Sequence, residues 1–217
     1  MTILSQPGAL PIPSASDRTM QPRDARTLTL LLVGRITGER SDGLCRIRNI
    51  STGGLMAEVC AAFAVDEAVR IEFRNGQIVT GSVRWTKAGA LGIQFDRPVD
   101  DIRQLLSEPK PTGRQAGVRL VRSPRLPTDC SADILLDGRH HRGAITDVSQ
   151  SGARLVTTAP LERDRLLTLA VAGLPHLRAV VRWIGQDGAG LTFLEPLAFT
   201  TLARWLDDPA LRYNRRG

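Results

Sequence analysis

The chain has 217 residues, of which 42% are hydrophobic, 24% are charged and only 4% are aromatic. That apolar content excludes a chain that is disordered throughout, and the length suits one large domain or two of about 100 residues. The 29 Lys and Arg residues outnumber the 22 Asp and Glu residues for a net charge of +7, which by itself indicates an anionic partner only weakly.

The first 20 residues are rich in proline and serine and predict a disordered leader. They have no basic start and no continuous apolar run, so they do not form a signal peptide. No stretch reaches the roughly 18 apolar residues of a membrane helix, and we therefore expect a cytoplasmic protein. The cysteines Cys45, Cys60 and Cys130 lie far apart, which excludes a disulfide framework and a four-ligand zinc site.

Alternating apolar residues predict strands along the first half of the chain. Val69, Ile71 and Phe73 share one face of a half-buried antiparallel strand. Asn75 and Gly76 follow as a strong hairpin signal. The predicted strands of this half are 27–36, 44–50, 55–60, 69–74, 77–85 and 90–95.

The second half repeats the same order of elements. Its predicted strands are 130–136, 143–148, 153–157, 166–171, 177–184 and 189–193. Apolar residues at helical spacing follow each set of strands, near Leu105 in the first half and near Leu202 in the second. Many short strands separated by turns predict an all-β fold. We expect two six-stranded antiparallel barrels, each with a C-terminal helix.

A shift of 98 residues, which moves Val83 onto Val181, aligns about 50 residues of the two halves without a gap, and one inserted residue further upstream also matches Arg26 with Arg125. Trp85 then falls on Trp183, and Phe95 falls on Phe193. An agreement of this length indicates a tandem domain duplication rather than a solenoid. We assign domains to 21–109 and 117–217, joined by a linker at 110–116 that is rich in proline and glycine.

Other residues of types that could bind a metal or take part in catalysis are predicted to have structural roles. Trp85 and Trp183 alternate with buried valines, so we expect both in the core. His140, His141 and His176 have no partners at metal-ligand spacing and are predicted to be surface residues. No nucleophile set and no Walker, GxSxG or GxGxxG pattern is present, so we expect neither an enzyme nor a bound metal or cofactor.

Two polar clusters recur in both halves. The first is arginine ahead of the first strand, Arg23 and Arg26 in one half and Arg122 and Arg125 in the other. The second is a turn of the form [Asn/Asp]-x-Ser-x-x-Gly. Its members are Asn49, Ser51 and Gly54 in the first half and Asp147, Ser149 and Gly152 in the second.

These clusters suit a pocket for a guanine nucleotide with more than one phosphate. Short polar side chains on a turn, beside a glycine free to adopt positive φ, offer rigid hydrogen-bonding groups. Arginines over that turn can neutralise phosphates and bind a guanine edge. The simpler interpretation is that the turns only close hairpins and that the arginines are only solvent-exposed residues at a sheet edge.

Each half resembles a PilZ domain over nearly its whole length. The resemblance rests on the complete [Asn/Asp]-x-Ser-x-x-Gly turns, and on a late Val-Arg-Trp strand followed by Gly92 and Phe95, or by Gly190 and Phe193. It implies a six-stranded barrel with a C-terminal helix that acts as a bacterial receptor for cyclic di-GMP. In that family the loop arginines bind phosphate and guanine, and the turn holds guanine and ribose.

The arginine loop departs from the family pattern RxxxR in both halves. Two residues, not three, lie between Arg23 and Arg26 and between Arg122 and Arg125. Loss of one charge-assisted contact costs about 1.5–3 kcal/mol, or one to two decades of affinity.

Three functions therefore remain open. The first is a non-catalytic cyclic di-GMP receptor that relays the level of this second messenger to a protein partner through a change in the angle between the two domains. The second is a degenerate adaptor that binds a protein and no nucleotide. The third, a nucleic-acid binder, is not expected because a stacking platform of surface aromatics is missing.

Overall fold

The computed structural model describes residues 28–107 and 123–214, and it consists of two closed antiparallel barrels of six strands. The predicted fold class is confirmed. The predicted leader at 1–20 and linker at 110–116 lie outside the described residues, as do Arg23, Arg26 and Arg122.

The first barrel has the strand order β1-β2-β3-β6-β5-β4 and closes by the pairing of β1 with β4. Its strands are β1 (Leu28–Thr37), β2 (Asp42–Ser51), β3 (Gly54–Val59), β4 (Ala68–Glu72), β5 (Ile78–Lys87) and β6 (Ala90–Phe95). The short helix α1 (Ile102–Leu106) follows and buries Leu105. The Asp101 carboxylate caps it by accepting a hydrogen bond from the backbone N–H of Arg103.

The second barrel repeats this topology in the order β10-β11-β12-β9-β8-β7. Its strands are β7 (Leu126–Leu136), β8 (Arg139–Ser149), β9 (Gly152–Thr157), β10 (Leu166–Val171), β11 (Leu177–Gly185) and β12 (Gly188–Phe193). Two helices follow, α2 (Phe199–Asp207) and α3 (Pro209–Arg212), and the sequence did not predict α3.

Strand β8 begins four residues before the predicted start at Gly143, because its first part is polar. The Asp137–Gly138 turn, with positive φ at both residues, joins it tightly to β7. Backbone pairing in such a hairpin needs no apolar pattern, so alternation alone could not reveal these residues.

Bulges at matching positions alter the alternation of side chains in both barrels. Val83 pairs with Ile93 and Trp85 pairs with Gly92, so Arg84 is an extra residue in β5. One extra residue reverses the direction of the side chains that follow it. Val83 is fully buried, whereas Trp85 is 42% exposed. Arg182 makes the same bulge ahead of Trp183, and the expectation that both tryptophans lie in the core is wrong.

Helix α2 packs on two surfaces at once. Its apolar face completes the core of the second barrel through residues such as Leu202, which is fully buried. Leu44 on β2 of the first barrel is only 2% exposed and belongs to the same apolar cluster. The guanidinium of Arg46, also on β2, lies 4.2 Å from the ring centre of Phe199 at the start of α2. The two barrels therefore share this helix.

Arg212 fixes the contact between the barrels. Its side chain is 6% exposed, and its Nη2 lies 3.0 Å from Oδ2 of Asp42. Its Nη1 donates to the backbone oxygen of Asp42 at 2.8 Å, and its Nε donates to the backbone oxygen of Pro127 at 2.9 Å. Arg35 donates to both carboxylate oxygens of Asp42, at 2.7 and 3.0 Å. Asp42 thus joins an arginine of each barrel.

The pKa of Asp42 is lowered below its usual 3.8. Burial of the carboxyl group raises this pKa, but the hydrogen bonds from Arg35 and Arg212 and their positive charges outweigh that effect. A native pKa below the unfolded one stabilises the fold at higher pH, and this contribution is lost as the pH falls through the lowered value.

We predict that Asp42→Asn lowers the free energy of unfolding at pH 7 by about 1.5–3 kcal/mol, because Arg212 stays buried without its ionic partner. Urea unfolding of both proteins measures this loss. The difference should shrink as the pH falls below 3.8, since the wild-type carboxyl group then also becomes neutral. Asp137→Asn, which removes an exposed ion pair to Arg165, is the control and should change stability by less than about 0.5 kcal/mol. An equal loss in both variants would contradict the prediction.

Candidate functional site

The serine of each predicted turn closes its hairpin. The Ser51 hydroxyl donates to the Gly54 backbone oxygen at 3.2 Å, and Ser149 donates to Gly152 at 3.1 Å. Their local role is therefore structural, as the simpler interpretation of the turns held. Ser51 is half-buried and Ser149 is only 1% exposed.

The glycine of each turn is required by a close backbone approach. A Cβ on Gly54 would lie 2.3 Å from the backbone oxygen of Ile93, and a Cβ on Gly152 would lie 2.1 Å from that of Leu191. Neither glycine has a positive φ, so the expectation of a left-handed conformation is wrong. The glycine lets β3 or β9 pass close to the neighbouring strand.

The rest of each turn is tied to the end of its barrel. In the first barrel the Phe95 N–H donates to the Gly53 oxygen at 2.9 Å, and the Val99 N–H donates to the Thr52 oxygen at 2.8 Å. Matching bonds of 2.9 and 2.8 Å hold the second turn. Because its backbone is fixed on both sides, each turn presents its polar side chains at defined positions.

Cross-strand pairing places four residues of the first barrel in a line across β2, β3, β6 and β5. Asn49 pairs with Met56, Met56 with Gly92, and Gly92 with Trp85. We call this line the first row. A bulge at Arg48 separates Asn49 from the buried Ile47, so Asn49 faces outward like Trp85.

Trp85 lies flat on the first row because Gly92 has no side chain. A Cβ on Gly92 would come within 2.1 Å of the indole Nε1. The glycine therefore makes room for an aromatic ring that lies against the sheet and remains 42% exposed. Such a ring is a stacking surface for a planar ligand.

An open cleft of about 450 Å³ lies over the first row. The turn from Asn49 to Gly54 lines one side, Trp85 and Gly92 line the other, and Met56 lies between. Arg84 stands at the rim, where its Nε donates to Gln94 at 2.8 Å and its Nη1 to Asp66 at 3.0 Å. The cleft combines a ring, an amide and a guanidinium group, which are the groups that bind a purine and its phosphates.

The second barrel has a matching second row of Asp147, Arg154, Gly190 and Trp183. A Cβ on Gly190 would lie 1.9 Å from Nε1 of Trp183, so this indole also lies on its glycine.

Arginine replaces methionine at the centre of the second row. The Arg154 guanidinium lies 5.8 Å from the Trp183 ring centre, and its Nη2 lies 3.6 Å from an oxygen of Asp187. Asp147 forms an ion pair with Arg125.

Among the described residues, the arginine cluster and the turn cluster are in contact at one pair only, Arg125 and Asp147. Sequence reasoning missed Trp85, Met56 and Arg84 as site residues. The Val-Arg-Trp repeat was the available signal, but the outward direction of Trp85 depends on a bulge that the repeat does not reveal.

The cysteines behave as apolar residues. Burial raises the pKa of the Cys45 thiol to about 12 and that of Cys130 to about 11. Both thiols are therefore protonated at neutral pH and pack in the barrel cores.

Residues 28–107 and 123–214 contain no group of three or more His, Cys, Asp or Glu placed to hold a metal ion. In the same ranges, no helix has the length and apolar character needed to cross a membrane.

Comparison with known families gives two matches to one family model. The PilZ domain model matches residues 17–108 and again residues 120–208. No curated protein matches the chain in sequence.

Several solved structures are similar to the chain at low identity. Borreliella burgdorferi PlzA in complex with c-di-GMP is 13% identical, with a TM-score of 0.34, 81% of this chain covered and 87% of that one. The Bacillus subtilis inhibitor of motility MotI/DgrA is 14% identical, with a TM-score of 0.32 and coverage of 82% and 96%. Escherichia coli YcgR in complex with c-di-GMP is 14% identical, with a TM-score of 0.30 and coverage of 77% and 76%. All three TM-scores lie below 0.5, so the family assignment depends on the two model matches.

We predict that Gly92→Ala displaces the Trp85 indole from the first row, because the new Cβ would lie 2.1 Å from Nε1. The expected results are a shift in tryptophan emission and a loss of about 1 kcal/mol in stability. The same substitution in a Trp85→Ala background should cost much less, since the clash is then absent. Gly53→Ala, whose Cβ would meet nothing within 4 Å, is the control. An equal cost in both backgrounds would show that the ring does not lie on this glycine.

Proposed function

The chain belongs to the PilZ domain family, and on that premise we propose that it is a non-catalytic receptor for cyclic di-GMP. The observation that carries this proposal is the open cleft over the first row, with the [Asn/Asp]-x-Ser-x-x-Gly turn along one side. The ligand is a ring of two guanosine units joined by two phosphates. It therefore needs a flat surface, an edge with hydrogen-bonding groups and positive charge, and the cleft offers all three.

The first row supplies the groups that contact a base. Trp85 offers its exposed face for stacking, which is worth about 1–3 kcal/mol per base. The Asn49 amide has both a donor and an acceptor for a guanine edge. It makes no hydrogen bond with another described side chain.

Positive charge comes from the rim and from the arginine loop. Arg84 is 53% exposed beside the cleft. We propose that Arg23 and Arg26 close over the ligand and bind its phosphates, as the family pattern implies. The family pattern implies the same roles for Arg122 and Arg125 with Asp147, Ser149 and Gly152 on the second barrel.

The output of the receptor is proposed to be a contact with a protein partner in the bacterial cytoplasm. Domains 21–109 and 117–217 are the proposed units, and nucleic acid is not a proposed ligand. Because β2 carries both the first turn and the contact with α2, a ligand on the first row would act on the strand that joins the barrels.

The second candidate function is the adaptor, and one observation favours it for the second barrel. Asp147 is paired with Arg125, and Arg154 is held by Trp183 and Asp187. Because these charged side chains are already paired within the barrel, they do not need a nucleotide to neutralise them. The adaptor differs from the receptor in that cyclic di-GMP should then leave the protein unaffected.

We predict that cyclic di-GMP binds to the purified full chain with heat detectable by calorimetry. Trp85→Ala should weaken binding by about five- to a hundredfold, the equivalent of one stacked base. Arg23→Ala combined with Arg26→Ala should weaken it by at least about tenfold.

The matched control is Arg70→Ala, which removes one exposed positive charge on the outer side of β4, away from the cleft. It should leave the affinity within about twofold of wild type, since distant surface charges are screened. No heat at high micromolar ligand would contradict the receptor and support the adaptor. An equal loss in the control would indicate non-specific attraction.

A further inference from the structure

We infer that Arg154 makes the two barrels unequal and lowers the affinity of the second barrel for cyclic di-GMP, so that the first barrel fills first. This inference rests on the proposed function and concerns the specificity of the same surface. The two sequence patterns do not distinguish the barrels, because both turns match the [Asn/Asp]-x-Ser-x-x-Gly pattern and both arginine loops have the same shortened spacing. The difference must lie elsewhere in the site.

The centre of the row is one place where the barrels differ in kind. Met56 pairs with Asn49 on one side and Gly92 on the other. Arg154 holds the same register between Asp147 and Gly190. A base that stacks on the tryptophan and bonds to the turn must span this central position. Methionine provides a neutral, adaptable surface there, whereas arginine brings a planar charged group.

Arg154 is held in place by its neighbours. Its guanidinium lies 5.8 Å from the Trp183 ring centre and 3.6 Å from the Asp187 carboxylate. Trp183 is 42% exposed, the same fraction as Trp85. Arg154 therefore does not hide the indole. In register it lies between Asp147 and Gly190, the glycine beneath Trp183, so a guanine that contacts both the indole and Asp147 must pass over the Arg154 side chain.

The turn of the second barrel is also less open. Ser149 and Gly152 are buried, whereas Ser51 and Gly54 are half-buried. Asp147 is in an ion pair with Arg125, so a ligand must break that pair to reach the carboxylate. In the first barrel, Asn49 has no charged partner among residues 28–107 and 123–214.

The positive charge of Arg154 acts in the opposite direction but is the weaker effect. Arg154 already pairs with Asp187, so a phosphate would exchange one exposed ion pair for another, which changes affinity by at most about fivefold. Loss of a stacked base changes affinity by about five- to a hundredfold. The net result is a second barrel that binds more weakly than the first. Among the described residues, the buried Nε of Arg154 has no hydrogen-bond partner.

A reciprocal exchange tests the inference by calorimetry with cyclic di-GMP. Arg154→Met should raise the affinity of the second barrel towards that of the first, so that the variant binds more ligand per chain than the wild type at a concentration that fills only the first barrel. Met56→Arg should weaken binding at the first barrel by at least about fivefold. The double variant should bind again, and adding Asp147→Ala should remove that binding. Arg163→Met, an exposed arginine outside the row, controls for the loss of one charge.

The outcomes separate this inference from the proposed function. If Arg154→Met leaves the amount of ligand bound per chain unchanged or lowers it, Arg154 does not weaken the second barrel and the inference fails while the receptor stands. The same holds if Asp147→Ala, and not Asn49→Ala, removes wild-type binding. If neither the wild type nor any variant binds, the proposed function fails and the inference fails with it. Thermal unfolding of each variant confirms that the fold is intact.

Discussion

The outer surface of each barrel depends on an extra residue in each of two strands. Arg48 and Arg84 are those residues in the first barrel, and Thr146 and Arg182 take their places in the second. Each bulge turns the side chain that follows it outward, while the side chain of the residue before it stays in the core. The asparagine or aspartate and the tryptophan therefore meet on one line of the surface. Without either bulge, one of them would point into the barrel and the row would not exist.

Strand β2 connects this surface to the rest of the protein. Its second half presents Asn49, and its first half carries Asp42, which holds the buried Arg212. Glu58 links the two halves, since it accepts from Arg48 at 2.7 Å and lies 3.6 Å from Arg46, the residue over Phe199. A rotation of the barrels would have to separate Arg212 from Asp42. Burial makes that separation costly, so the contact favours small adjustments along β2 over a free hinge.

The sequence predicts the strands well wherever alternation is uninterrupted. Strands β6 and β10 have the predicted limits, because a buried apolar side chain recurs at every second position of each, at Leu91, Ile93 and Phe95 in β6 and at Leu167, Leu169 and Val171 in β10. Trp85 was misplaced because a bulge depends on the pairing of two strands and leaves no mark in one strand's pattern. A positive φ was expected to require glycine at position 54, but the residue is required by the close approach of a strand almost 40 residues away. The burial of Arg212 against Asp42 joins residues 170 positions apart, and no local pattern indicates it.

The duplication separates two explanations for any difference in ligand binding between the barrels. The shortened arginine spacing is common to both halves, so it can weaken both sites but cannot make them unequal. The central residue of the row differs, with Met56 in one barrel and Arg154 in the other. The residue beside it also differs, an amide in Asn49 and a charged carboxylate in Asp147. Asp147 attracts Arg125, and Trp183 and Asp187 hold Arg154. Among the described residues, the second barrel thus has charged, paired groups at its turn and at the centre of its row, where the first barrel has a neutral amide and a methionine. This difference in charge at matching positions distinguishes the two surfaces.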